Sequence, residues 1–99
     1  MKCKIMHESE GRLRIRAEKS RMTLREADIL EYYMKAVPGV NDVKVYDRTC
    51  DAVILYEADR SIIIRALAVF SFKDEKAAEL VPDHTSRALN REFEDKLFF

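Results

Sequence analysis

The chain has 99 residues, 47% apolar and 36% charged, with Lys and Arg balancing Asp and Glu at a formal net charge of zero. That composition predicts one small globular domain, not a disordered chain, and it lacks the basic excess of a dedicated nucleic-acid binder. No apolar run approaches the ~20 residues of a membrane helix, and the lack of a secretory leader, with Cys3 and Cys50 the only cysteines, predicts a cytoplasmic setting with free thiols.

Residues 2–17 alternate in polarity. In KCKIMHES, Cys3, Ile5 and His7 fall on one side, with Lys2, Lys4 and Met6 on the other. In GRLRIRAE, Leu13, Ile15 and Ala17 alternate with Arg12, Arg14 and Arg16. Period two predicts half-buried strands. Gly11 marks a turn or bulge, so the segment is either one long kinked strand or a hairpin.

Thr23 and Glu26 form a T-x-x-E capping box, which starts a helix. Ala27, Leu30, Met34 and Val37 recur at spacings of three and four along it. Pro38-Gly39 ends it. VNDVKVYD places Val43 and Val45 opposite Asp42, Lys44 and Tyr46. A polar turn at Asp47-Arg48-Thr49 then leads into CDAVILYE, which completes a hairpin. Asp59 caps a second helix over about 60–70, with Ile62, Ile63, Ala66, Leu67 and Phe70 facing inward. SFKDEKAAELVP fits either a short edge strand or a turn with a helical piece. Beyond Pro82, Thr85 caps a last helix over about 86–98, with Leu89, Phe93 and Leu97 in register.

The order β-α-β-β-α, closed by a weak strand, predicts an α+β fold: a ferredoxin-like βαββαβ sandwich with an extra C-terminal helix. The domain would span 1–81, and 82–99 would carry the added helix. Such a fold hosts many functions, so the residues must argue for one.

His7, Glu8 and Glu10 offer nitrogen and oxygen ligands suited to iron(II), zinc or manganese. Along a strand His7 and Glu8 point to opposite faces, so they converge only if a loop turns them. Cys3, Cys50 and His7 would make a softer three-ligand site if their strands were neighbours. Otherwise the cysteines are two small buried apolar groups. Arg12, Arg14 and Arg16 form a row on one strand face. It suits an acidic protein surface, a phosphate or anionic lipid heads, or it is a plain solvent face with arginine stems covering their neighbours. Open ferredoxin-like sheets that bind RNA carry aromatics on their central strands; residues 10–17 have none, so nucleic acid is not the expected partner. Neither a phosphate-cradling glycine loop nor a paired nucleophile and base is present, so the chain is not expected to be an enzyme.

KAVPGVNDVKVYDRTCDAVILYE resembles the central piece of heavy-metal-associated domains, where a helix ends at "PGV" and a hairpin follows. The pattern from His7 through Gly11-Arg12-x-Arg14-x-Arg16, together with PDHTSRALNREFEDKL (82–97), resembles the amino-terminal region of some bacterial heavy-metal P-type ATPases. There the last helix runs on toward the first membrane span. The resemblance implies a ferredoxin-like domain on the cytosolic face of a metal-transporting ATPase, iron among the candidate metals, with the rest of the transporter or an acidic protein as partner. Metal-carrying members have C-x-x-C after the first strand. Here that loop reads His7-Glu8-Ser9-Glu10-Gly11-Arg12, so copper or zinc delivery does not carry over. A regulatory or docking role does. The apolar end Leu97-Phe98-Phe99 fits either a helix cut short of its membrane continuation or a surface for homodimer formation.

Overall fold

The computed structural model describes residues 1–97. Four strands and four helices follow in the order β1 (Cys3–Ser9), β2 (Arg12–Ala17), α1 (Leu24–Lys35), β3 (Val40–Tyr46), β4 (Asp51–Tyr56), α2 (Arg60–Val69), α3 (Glu75–Glu79) and α4 (Ser86–Leu97). The fold is α+β and ferredoxin-like, with one antiparallel sheet ordered β1-β2-β4-β3. No helix among the described residues is long and apolar enough to cross a membrane. Phe98 and Phe99, the end of the expected apolar terminus, lie outside the described residues.

Local chemistry sets the elements. Thr23 and Glu26 bond reciprocally, and the capping box opens α1. Asp59 accepts from Ser61 N and opens α2. Gly11 makes the tight β1–β2 turn at φ 73°, a left-handed conformation that costs glycine little. Gly39 needs its missing side chain more: at φ 88° an added Cβ would lie 2.4 Å from that of Ala58.

Two segments with alternative readings resolve together. Residues 2–17 form a hairpin, and β1 occupies the sheet edge beside β2. The segment 71–81 therefore has no edge left to fill there, and it forms a turn with the short helix α3. The fourth strand of the sandwich comes from the front of the chain.

Leu13, Ile15, Ala17, Val43, Val45, Ala52, Ile54 and Tyr56 all point to one face of the sheet. There they pack with Ala27, Leu30 and Met34 of α1 and Ile63 and Leu67 of α2. Period-two alternation thus leaves the other face uncovered. Truncating Ile15, which is fully buried, would cost about 2–5 kcal/mol through lost transfer energy and the cavity left behind.

Candidate functional site on the open sheet face

Strand register assigns the open face residue by residue. Arg12, Arg14 and Arg16 of β2 lie beside Leu55, Val53 and Asp51 of β4, which pair in turn with Asp42, Lys44 and Tyr46 of β3. Lys4, His7 and Ser9 of β1 stand opposite Arg16, Arg14 and Arg12.

His7 is on this face because β1 changes register between Ile5 and His7. Straight alternation would put it beside Cys3 and Ile5, on the helix side. The irregularity at Met6 adds one residue and turns everything after it over. His7 consequently approaches Arg12, with Nη1 3.5 Å from its Nδ1.

The same flip sends Glu8 to the helix side, where it pairs with Arg60 of α2. The hydrogen bond from Arg60 holds the Glu8 carboxyl below the usual carboxylate range. Glu10 sits exposed in the turn before Gly11. Cys3 faces the helices opposite Ala17, and burial pushes its thiol pKa up. Cys50 is buried, and its carbonyl accepts from Ala17 N at 2.9 Å. Strand β2 thus stands between the two cysteines, and both are free thiols. Among the described residues, no group of three or more His, Cys, Asp or Glu side chains is placed to hold a metal ion. The five sequence candidates for metal ligation therefore do not converge: His7 lies on the open face, Cys3 and Glu8 on the helix side, Glu10 in a turn, and Cys50 across β2 from Cys3.

The arginine row does assemble, around a residue that the motif reading passed over. Asp51 is fully buried, under the stems of Arg14 and Arg16. Its Oδ2 accepts from Arg14 Nε at 2.9 Å and lies 2.8 Å from Arg14 Nη2. Its Oδ1 accepts from Arg16 Nε at 2.6 Å, and Oδ2 from Arg16 Nη2 at 3.2 Å. The Arg16 hydrogen bond, then that of Arg14, holds the Asp51 carboxyl below its ordinary value against the opposing effect of burial. The same bond raises the Arg16 guanidinium further above its ordinary value. Alternation in CDAVILYE carried the signal: with Ala52, Ile54 and Tyr56 inward, Asp51 must fall on the arginine side.

Around this clamp the face is basic. Tyr46 lies under Arg14, with Cζ 5.6 Å from the ring centre, and Lys44 Nζ is 5.3 Å from the same ring. Lys4, Arg12, Arg14, Arg16 and Lys44 face only Asp42 and Asp51 across the register, although the whole chain is neutral. The guanidiniums of Arg14 and Arg16 stay 37% and 45% exposed by side chain, so Asp51 orders them without covering them. Chemically, the face offers fixed, fork-shaped donors to carboxylates or phosphates.

No protein-family model, curated protein or solved structure matches this chain.

Proposed function

We propose that this chain is a docking domain whose open sheet face binds an acidic surface of a partner protein. The observation that carries this is the buried Asp51 holding Arg14 and Arg16 side by side, with their outer edges in solvent. Arginine side chains lose much rotamer freedom on binding; here the carboxylate has already fixed two of them. Arginines fixed in advance give up less freedom when an acidic surface binds them. The resemblance to the amino-terminal region of heavy-metal P-type ATPases suggests where the acidic surface resides: the remaining domains of such a transporter. In that setting the domain regulates by docking at the cytosolic face of the membrane and does not itself carry out the ATP chemistry. A metal-delivery role has less support, because its candidate ligands lie apart.

The test is binding of a fluorescent hexaglutamate peptide and of a uridine hexanucleotide, each followed by anisotropy over a series of salt concentrations. Stronger binding of the peptide, weakened by salt and by Arg16→Glu, supports the proposal. Preferential binding of the oligonucleotide would move the domain to the nucleic-acid class, and no binding of either would remove the face as a docking site.

A further inference from the structure

Among the described residues, one side chain of the last helix hydrogen-bonds to the rest of the domain. None of the 12 residues of α4 is buried. Its pairs Arg91–Glu94, Arg91–Asp95 and Glu92–Lys96 lie within the helix, so they stiffen it without fastening it to anything. Arg87 is different. Its guanidinium donates to Asp28 Oδ1 at 2.5 Å and Glu31 Oε1 at 3.0 Å, both on α1, and to the Val45 carbonyl of β3 at 3.0 Å. Thr85 closes the pocket: its hydroxyl donates to Asp28 Oδ2 at 3.0 Å and accepts from Ala88 N at 3.1 Å. Asp28 and Thr85 are 6% and 4% exposed, and the Arg87 side chain 16%.

The pocket matches a guanidinium in detail. Two carboxylates and a carbonyl present acceptors to a planar fork of donors, which a compact ammonium cannot span. Residues 82–85 leading into α4 are neither helix nor strand and include Pro82, which suits a hinge. Twelve helical residues are marginal alone in water, so contacts with the domain matter to the order of α4.

We propose that α4 is an arm latched by a single arginine, and that Asp28, Glu31 and the Val45 carbonyl form a guanidinium receptor that Arg87 fills from within the chain. Release frays the arm and opens the pocket to an arginine from another protein. The tethered Arg87 competes at the high effective concentration of an intramolecular ligand, so an incoming arginine displaces it only when other contacts assist. This is independent of the arginine face, which lies on β2 and across β4.

Arg87→Ala tests it by NMR. The amides of α4 should lose order while those of β2 and β4 keep their shifts. Ethylguanidinium at millimolar concentration should then move the amides of Asp28, Glu31 and Val45 saturably in the variant, not in the wild type, and methylammonium should not. An ordered α4 in the variant, no saturable shift, or an equal response to methylammonium would each overturn the proposal. Should the variant fail to fold, hydrogen exchange on the wild-type chain decides. Amides of α4 should exchange about 100-fold faster than those of β2, through a local opening; equal protection of arm and sheet would overturn the latch.

Discussion

The two buried ion networks of this domain invert one another. At Asp51 one carboxylate serves two arginines; at Arg87 one guanidinium serves two carboxylates and a carbonyl. The inversion changes what is left over. Arg14 and Arg16 each spend Nε and Nη2 on Asp51 and keep outward N–H groups in solvent. Arg87 turns its donors inward and is far less exposed than either. A guanidinium ordered at its base presents a surface, whereas one swallowed whole holds two elements together.

Breaking the first network should cost more stability. Asp51→Ala leaves two neighbouring cations, Arg14 and Arg16 of β2, without their counter-charge. We expect a loss of about 2–3 kcal/mol in urea unfolding, discounted from a fully buried pair because the arginines remain half exposed. Acid should expose the same group. The fold holds the Asp51 carboxyl below its unfolded value, so its contribution is complete above the unfolded pKa of about 3.9 and is lost as pH falls through the lower folded value. The stability gap between wild type and Asp51→Asn should therefore narrow below about pH 4 in an acid-titrated melt.

The second network should cost less, because release of α4 lets water reach the carboxylates of Asp28 and Glu31 that Arg87 leaves behind. Arg87→Ala is expected to lower global stability by about 1 kcal/mol or less, while proteolysis near residues 82–85 speeds up. The smallest stability effect belongs to Arg12, which has no carboxylate among its described contacts. Arg12→Gln should unfold within about 0.5 kcal/mol of wild type yet bind an acidic peptide up to about fivefold more weakly, the scale of one exposed charge pair.

Capping residues and period-two runs made most of the fold legible. Thr23 with Glu26, Asp59, and the alternation of Leu13, Ile15 and Ala17 each act within a few residues, so local chemistry decides them. The origin of the fourth strand was not legible, since both 2–9 and 71–81 carried weak strand character and only tertiary competition for one edge separates them. Nor was the face of His7, because the irregularity at Met6 leaves no glycine or proline to mark it. Asp51 was within reach, since alternation placed it among the arginines. The Arg87 pocket was not: it joins residues 56 and 59 positions apart in the chain.

The central claim is that the face ordered by Asp51 is the surface that binds. Chemical-shift mapping of the ¹⁵N-labelled domain with hexaglutamate tests it most directly, with Asp51→Asn alongside. The account predicts shifts confined to β2, β4 and the facing residues of β1 and β3, and weaker binding in Asp51→Asn although that variant is more positively charged. Tighter binding in Asp51→Asn, or shifts centred elsewhere, would show that charge alone or another surface attracts the peptide, and would contradict it.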